Sequence, residues 1–232
     1  MTTVVLLPGM DGSGSLLDEF VAALPAGLKA VVVQYPPDRA LDYRELEALA
    51  RTALPTEHPF LLVGESFSGP IAISLAAAGP AGLRGVVLVC SFARSPVWVP
   101  RWIRPLIGLL PLWLVPLRIA TAMLFGRSQS PALRARLRSA IANVRPTVWQ
   151  ARLEAVLSTD VTALLSKVRV PLLYLRAAHD RVVPRSALEL ISQFFPKLQV
   201  IELDCPHFLL QTKPAEAAAQ VHAFAREVGI AF

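Results

Sequence analysis

Hydrophobic residues in this 232-residue chain form short continuous runs instead of alternating with polar residues. Continuous apolar runs are typical of strands buried on both faces, as in a parallel sheet covered by helices. Six such runs recur: VVLLPG from Val4, AVVVQYP from Ala30, FLLVGES from Phe60, GVVLVCS from Gly85, PLLYLRAAHD from Pro171 and LQVIELD from Leu198. The pattern predicts a buried sheet.

Helical patterns lie between these runs. The clearest are DYRELEALARTAL from Asp42, GPIAISLAAAG from Gly69, RSALELISQFF from Arg185 and PAEAAAQVHAFAREV from Pro214. Because strand and helix alternate along the chain, the sequence predicts the α/β class with right-handed crossovers.

One connection is much longer than the others. The stretch between Ser91 and Pro171, called the insertion below, far exceeds the usual link between a strand and the next element. Within it, Pro131 is predicted to open a helix with apolar residues at helical spacing from Leu133 to Val144. The pair Arg145-Pro146 is predicted to end this pattern. We expect the insertion to lie above the sheet.

The sequence GESFSG follows the third apolar run and precedes an Ala-rich helical pattern. A strand that turns sharply into a helix needs small residues beside the turn, and Gly64 and Gly69 supply them. In the nucleophile-elbow motif GxSxG the central serine projects at the carboxyl end of the sheet, which makes Ser66 the candidate nucleophile. Ser68 stands where the motif has its second glycine. The alternative interpretation is an ordinary turn with incidental serines.

A serine hydroxyl needs a base to remove its proton and an acid to orient that base. Of the four histidines, His58 precedes a strand and lies at the wrong end of the sheet, while His222 falls within a helical pattern. His207, in LDCPHFLLQ, follows the last strand at the carboxyl end, where ligands bind in such sheets. It is the candidate base, and His179 is expected to be a bystander.

Asp180, in RAAHDRVVP, follows the fifth strand and is the candidate acid. Taken alone it is more simply explained as a turn or helix-cap aspartate. Asp204 is the rival acid, but its position three residues before His207 suits a turn or bonds to backbone amides better. The chain order Ser66, Asp180, His207 matches the serine, acid, histidine order of one hydrolase superfamily.

Acyl transfer also needs two backbone N–H donors for the developing oxyanion. Phe67, directly after the candidate nucleophile, supplies one, and Met10 in the glycine-rich LLPGMDGSG supplies the other. The rival interpretation of this loop, a phosphate cradle, lacks both GxxxxGK[ST] and GxGxxG. No HExxH, cysteine pair or dense His/Asp cluster indicates a metal, and the chemistry requires no cofactor.

The chain resembles the α/β-hydrolase-fold superfamily, as a small serine esterase or lipase-like member with a helical cap. The resemblance rests on LLPGMDGSG, GESFSG, HDRVVP and CPHFLLQ in the expected order. Two positions depart from the usual patterns: Pro8-Gly9 replaces His-Gly after the first strand, and Cys205 replaces the glycine before Pro-His.

This resemblance implies a fold as well as an activity. It implies a mostly parallel six-stranded sheet flanked by helices, equivalent to the family sheet without its first two strands. Residues 1–91 and 166–232 would form the hydrolase core, and residues 92–165 the helical cap. Asp160 resembles a position that begins the linking helix after the cap, and we expect it to be that helix's N-cap.

Composition narrows the class of protein. With 54% hydrophobic and 17% charged residues in 25.1 kDa, the chain is expected to fold as one domain with a large core. Its two cysteines, Cys90 and Cys205, provide no disulfide framework. The N-terminus lacks the basic start of a secretory signal, and the apolar stretch from Trp102 to Gly126 is interrupted by prolines. We therefore predict a cytoplasmic location.

The net charge of +6 has one origin. The region from Ser66 to Leu153 holds eleven arginines and no acidic residue, while the remainder holds twelve basic against seventeen acidic residues, and 11 − 5 gives the +6. These arginines are interleaved with Trp98, Trp102 and Trp113, which we expect to line a substrate pocket. Such a surface suits anionic lipid or an acidic acyl carrier and matches no nucleic-acid module. The alternative is a solvated cap face.

Together these features predict a serine hydrolase that cleaves carboxylic esters of small molecules with a lipophilic acyl group, through an acyl-enzyme. Two alternatives stay open. One is an acyltransferase or thioesterase with the same triad, and the other is a non-catalytic lipid-binding protein of the same fold.

Overall fold

The computed structural model describes residues 2–97, 123–126 and 130–230. Its six strands form one sheet in which every neighbouring pair is parallel, with the order β2-β1-β3-β4-β5-β6. The strands are β1 Thr2–Leu7, β2 Leu28–Val32, β3 Phe60–Glu65, β4 Leu83–Val89, β5 Leu172–His179 and β6 Gln199–Pro206. This confirms the predicted six-stranded, mostly parallel α/β sheet.

Helices connect the strands as the sequence predicted. In the described part of the chain the α-helices are α1 Asp18–Ala23, α2 Tyr43–Arg51, α3 Gly69–Ala77, α4 Pro131–Ala142, α5 Pro146–Ser158, α6 Thr162–Leu165, α7 Arg185–Ser192, α8 Leu209–Thr212 and α9 Pro214–Glu227. Short 3-10 helices at Ser15–Leu17 and Ser66–Ser68 precede α1 and α3.

Both faces of the sheet are covered. Alternate residues of a strand point to opposite faces, so β1 sends Val5 and Leu7 to the side of α2, α3 and α7, and Val4 and Leu6 to the side of α1 and α9. All residues of β1 and β3 are buried, whereas the edge strand β6 alternates in exposure over most of its length. The continuous apolar runs therefore reflect central strands packed between two helical layers.

Two of the described helices of the insertion start at prolines: the start at Pro131 was predicted, whereas the pair Arg145-Pro146 was predicted only as a break. Helix α4 begins at Pro131, and the Ser130 hydroxyl caps it by accepting a bond from the Leu133 N–H at 3.0 Å. Helix α5 begins at Pro146. Both prolines occupy first-turn positions, where a missing N–H removes no helical hydrogen bond.

The chain enters and leaves the insertion side by side. The Ser95 N–H donates to the Thr159 carbonyl at 3.0 Å, and the Val161 N–H donates to the Ala93 carbonyl at 2.8 Å. Arg94 and Asp160 form an antiparallel bridge between these bonds. The insertion is therefore attached to the sheet by two paired segments, while its division at residues 92 and 165 stays a prediction.

Asp160 does not occupy the N-cap position that we expected. The N-cap residue of α6 is Val161, and the Asp160 carboxylate one position earlier accepts bonds from the Thr162 N–H at 3.0 Å and hydroxyl at 2.6 Å. The side chain reaches two residues forward, as aspartates do in local turns, which explains the difference of one position.

The tryptophans expected to line a pocket, Trp98, Trp102 and Trp113, lie outside the described residues, as does most of the stretch from Trp102 to Gly126. Over the described ranges, no helix combines the length and the apolar character needed to cross a bilayer. Cys90 and Cys205 are both buried free thiols.

Candidate active site

Ser66 follows β3 directly and has a backbone φ of +46°, a strained left-handed value for a residue with a side chain. The glycines predicted to give it room are needed. A Cβ at Gly64 would lie 2.8 Å from the Ala72 Cβ, and one at Gly69 would lie 1.7 Å from the Ser91 Oγ. The turn from β3 into α3, called the elbow below, can therefore close only around these two glycines.

The carbonyls of the elbow are held from two sides. The Ser91 hydroxyl donates to the Ser66 carbonyl at 2.6 Å, and the Tyr43 hydroxyl donates to the Phe67 carbonyl at 2.8 Å. Burial raises the pKa of Tyr43 well above its ordinary value, with a smaller effect from Tyr35, so the hydroxyl stays a donor. These two bonds hold the carbonyls of Ser66 and Phe67, the first two residues of the strained turn.

The three candidate triad residues meet at the carboxyl ends of β3, β5 and β6. The Ser66 Oγ lies 2.9 Å from His207 Nε2, and His207 Nδ1 lies 2.9 and 2.8 Å from the two carboxylate oxygens of Asp180. The side chains of His207 and Asp180 are only 2% and 3% exposed. The structure thus brings together a hydroxyl, an imidazole and a carboxylate in one continuous line.

Asp180 is held in its charged form. Burial acts to raise its pKa, but the hydrogen bond and charge of His207, together with the Val183 and Val182 N–H groups, outweigh burial and lower the pKa. These N–H groups donate to Oδ1 at 2.9 and 2.8 Å. The turn role considered for Asp180 is therefore compatible with its contact to the histidine, because one carboxylate serves both.

The two rejected candidates contact each other. His179 Nε2 lies 2.8 Å from the Asp204 carboxylate, and both side chains are largely exposed. In place of the turn or backbone-amide role that we expected, Asp204 lies within β6 and its carboxylate contacts the His179 side chain at the end of the neighbouring strand β5. Neither residue contacts the Ser66, His207 and Asp180 line.

The loop after β1, residues 8–14, lies beside the elbow and is called the oxyanion loop below. The Gly12 N–H donates to the Gly9 carbonyl at 3.0 Å, which forms a turn whose hydrogen bond does not use the Met10 N–H. The Phe67 N–H lies in the first turn of the helical segment after β3, where an amide has no partner within the helix.

Ser68, the departure from the motif, joins the elbow to the oxyanion loop. Its side chain is fully buried and donates to the Pro8 carbonyl. Since a hydroxyl has one proton to donate, the Tyr35 hydroxyl at 2.7 Å is the donor toward Ser68. Burial raises the pKa of Tyr35, which keeps this hydroxyl protonated. A glycine at position 68 could make neither bond.

Glu65 was missed by the sequence analysis. It is buried, accepts from the Gly9 N–H at 3.1 Å, and accepts from the Gln211 side-chain amide at 2.8 Å. Burial raises its pKa to about 7, against the lowering effect of the Gln211 bond. The available signal was a glutamate at the end of the apolar run FLLVGES. Since glutamate is seldom fully buried, its place in a buried strand indicated specific hydrogen-bond partners.

Arg152 was also missed, since it was counted among the arginines of a cationic surface. It is 1% exposed and donates to the carbonyls of Met10, Asp11 and Pro36. Its spacing from Val148 and Ala155, both buried on α5, was the available signal that it points inward.

Cys90 is the remaining group near the triad. Its sulfur and ligand atoms of Asp180 and His207 lie within 4.8 Å of one another, a spacing compatible with a metal ion. However, Asp180 and His207 already bond to each other, and burial raises the pKa of Cys90, which disfavours the thiolate that binds metals. These groups fit a metal poorly, and the absence of a metal or cofactor stays a prediction.

Solved structures share this architecture along almost the whole chain. A thermophilic esterase from Thermogutta terrifontis superimposes with a TM-score of 0.83 at 16% identity, covering 98% of this chain and 90% of that one. The enol-lactonase from Burkholderia xenovorans LB400 gives 0.82 at 18%, with 97% and 91% covered, and a bromoperoxidase from Bacillus anthracis gives 0.81 at 19%, with 97% and 92% covered. Identities this low establish the fold alone.

The sequence itself supplies the family. No curated protein sequence matches the chain significantly. The model of a family described as the alpha/beta hydrolase family, however, matches residues 4–221. Since this match covers nearly the full length and the six-stranded parallel sheet agrees with it, the chain belongs to the alpha/beta hydrolase family.

Proposed function

We propose that the protein is a serine hydrolase that cleaves carboxylic esters through an acyl-enzyme. The observation that carries the proposal is the line of hydrogen-bonding distances from Ser66 Oγ through His207 to Asp180. Three side chains from distant parts of the sequence meet in the order that nucleophilic acyl transfer requires. Membership of the alpha/beta hydrolase family supports the same class of reaction.

The charged Asp180 carboxylate accepts a hydrogen bond from the His207 Nδ1–H, which keeps the proton on Nδ1 and leaves Nε2 as the acceptor for the Ser66 hydroxyl. Ser66 Oγ attacks the ester carbonyl while its proton passes to Nε2. The tetrahedral intermediate then loses the alcohol, which takes that proton, and the acyl group stays on Ser66. Water repeats the same steps, with His207 as base, and releases the acid.

Met10 and Phe67 are proposed to stabilise the oxyanion through their backbone N–H groups. The support is that the turn in the oxyanion loop is closed by the Gly12 N–H and not by the Met10 N–H, and that the Phe67 N–H lies in the first turn of a helical segment. Two such donors act on the charge that develops during attack, which makes them more effective in the transition state than in the ground state.

The substrate is proposed to be a small ester with a lipophilic acyl group. The support comes from the sequence between residues 92 and 165, where Trp98, Trp102 and Trp113 lie among aliphatic residues without any acidic residue up to Leu153. A cap of this composition favours an apolar pocket. Turnover of acetate esters as fast as medium-chain esters would contradict this part of the proposal.

Hydrolysis of p-nitrophenyl esters from acetyl to long chain tests the reaction. Wild type is expected to turn over these esters and to react with a fluorophosphonate probe, whereas Ser66→Ala loses both activities because the attacking oxygen is absent. Ser192→Ala, which removes an exposed serine hydroxyl on α7, is the matched control and keeps both. Equal labelling of wild type and Ser66→Ala would contradict the assignment of the nucleophile.

Two outcomes of this test would change the proposal. Preferential formation of a new ester with an added alcohol would indicate an acyltransferase, and preferential hydrolysis of a thioester substrate would indicate a thioesterase. A folded wild type that neither hydrolyses any ester nor reacts with the probe would indicate a binding protein that has kept the fold.

A further inference from the structure

We propose that Arg152, on the insertion helix α5, is a positioning residue that fixes the oxyanion loop for catalysis. The inference rests on the proposed function, in which the Met10 N–H stabilises the oxyanion. It gives the insertion a part in the chemistry in addition to covering the sheet.

The guanidinium group of Arg152 holds two loops at once. Its Nη1 donates to the carbonyls of Met10 and Asp11, both at 2.8 Å, and its Nη2 donates to the Pro36 carbonyl at 3.0 Å. The guanidinium carbon also lies 5.9 Å from the centre of the Tyr35 ring. A planar group with five donors in fixed directions suits these separate carbonyls, whereas an ammonium has three donors on one atom and an apolar side chain has none.

These contacts reach the peptide group that carries the Met10 N–H. Arg152 rests against Gly12, where an added Cβ would lie 2.8 Å from both terminal guanidinium nitrogens. The Gly12 N–H in turn bonds to the Gly9 carbonyl at 3.0 Å, and that carbonyl belongs to the same rigid peptide plane as the Met10 N–H. Arg152 therefore supports the turn whose geometry sets the direction of the proposed oxyanion donor.

The loop is tied at its other side by residues of the sheet. The Gly9 N–H bonds to Glu65, and Ser68 donates to the Pro8 carbonyl. These contacts hold the start of the loop, but none of them holds the carbonyls of Met10 and Asp11. Arg152 supplies that missing support from the opposite direction.

A packing role alone does not explain the charge. No carboxylate among the described residues lies within ion-pair distance of Arg152. Burial lowers the pKa of Arg152, and the charge of Asp11, whose carboxylate accepts from the Ser13 N–H and hydroxyl, acts in the opposite direction. A buried cation is unfavourable unless its charge is compensated by neighbouring groups. The positive charge of Arg152 is compensated by the carbonyls of Met10, Asp11 and Pro36, which an apolar side chain would leave unpaired.

The first measurement compares wild type with Arg152→Met and Arg152→Lys, with Arg138→Met as the control on the exposed face of α4. We expect Arg152→Met to lower kcat on p-nitrophenyl esters by about 10- to 100-fold with KM changed less than about twofold, because the donor is misplaced. Arg152→Lys is expected to have an intermediate kcat, since lysine keeps the positive charge but lacks the planar set of guanidinium N–H donors. Rates are divided by the concentration of probe-reactive Ser66, so that loss of folded protein does not lower kcat.

A second measurement needs no catalysis. Hydrogen exchange of residues 8–14 is expected to be faster in Arg152→Met, and less so in Arg152→Lys, while exchange of β4 stays at the wild-type rate. Unchanged exchange of residues 8–14 would overturn the positioning role, whether or not the protein is a hydrolase. Faster exchange with kcat per reactive serine unchanged would overturn the catalytic part alone. If Arg152→Met fails to fold, Arg152→Lys decides both measurements.

Discussion

Glu65 illustrates how one buried side chain connects separate parts of the site. Its carboxyl group joins the oxyanion loop at Gly9 to Gln211, which lies just beyond His207. Within the described residues no cation pairs with it, and burial raises its pKa to about 7. The native state therefore binds the Glu65 proton more tightly than the unfolded chain does, so this group makes the protein less stable as the pH rises from about 4.5 toward 7 and above.

Glu65→Gln is expected to remove this pH dependence. The amide is neutral at every pH and keeps an acceptor for the Gly9 N–H, so at pH 8 it should raise the free energy of unfolding by on the order of 1 to 3 kcal/mol. Below about pH 4.5 the advantage should vanish, because Glu65 is then protonated in both states. Urea unfolding of wild type and variant across this pH range measures the difference.

The matched control is Glu57→Gln, an exposed glutamate outside any strand or helix. It also replaces one carboxylate by an amide, and at pH 8 it should change the free energy of unfolding less than Glu65→Gln does. A Glu65→Gln variant that is less stable than wild type at pH 8 would show that the charged carboxylate is favourable in the folded protein, contrary to this account.

At the scale of elements, the elbow and the oxyanion loop form one unit. Ser68 links them, and Tyr35, from the segment after β2, completes the link. Each of these polar groups is buried, so removal of one partner leaves the other without a hydrogen bond. Ser68 therefore connects the elbow to the oxyanion loop, and the glycine that the usual motif has at this position could not do so.

A double-mutant cycle on Ser68→Ala and Tyr35→Phe tests this connection. Ser68→Ala should lower the free energy of unfolding by about 1 to 3 kcal/mol, since it leaves the Pro8 carbonyl and the Tyr35 hydroxyl unpaired. Adding Tyr35→Phe should then cost less than it does in wild type, because the unpaired hydroxyl is removed. Strictly additive losses would contradict the direct bond, and Ser192→Ala controls for loss of a surface hydroxyl.

The strands that carry the three candidate triad residues could be predicted from the sequence for a simple reason. Ser66, Asp180 and His207 each follow a parallel strand, and the carboxyl ends of parallel strands lie along one edge of the sheet. Strand periodicity thus places residues far apart in sequence at the same edge. The contact between His179 and Asp204 needed the register of β5 and β6 as well, which periodicity does not supply.

Strand periodicity could not predict the contacts that loops make with the insertion or with each other. Arg152 lies 141 residues from Asp11, and Gln211 lies 146 from Glu65. In the sequence Arg152 is one of eleven arginines in an acid-free region, and nothing local identifies its carbonyl partners. Such contacts depend on how the insertion and the loops pack together, so the sequence indicated the candidate triad residues but not the buried residues that contact the neighbouring loops.

For the whole molecule, charge is divided between the two parts of the chain. Residues 66–153 carry eleven arginines without acids, and the remainder has five more acidic than basic residues. Arg152 is buried and Arg136 pairs with Asp18 and Glu19, so these two do not contribute to an open cationic surface. Arg134, Arg138 and Arg145 are exposed. The electrostatic field of this uneven charge distribution should orient the protein so that the insertion faces an anionic surface.

We therefore expect the protein to bind vesicles that contain anionic phospholipid at low salt and to dissociate at high salt, because surface charges are screened. Replacing Arg134, Arg138 and Arg145 with glutamine should weaken this binding strongly. The control variant replaces Lys29, Arg39 and Lys197, three exposed cations outside residues 66–153, and so has the same net charge. Cosedimentation with the vesicles measures binding. Equal loss of binding in both variants would mean that net charge alone acts. Loss of binding confined to the insertion variant would mean that the arginines there form the contact.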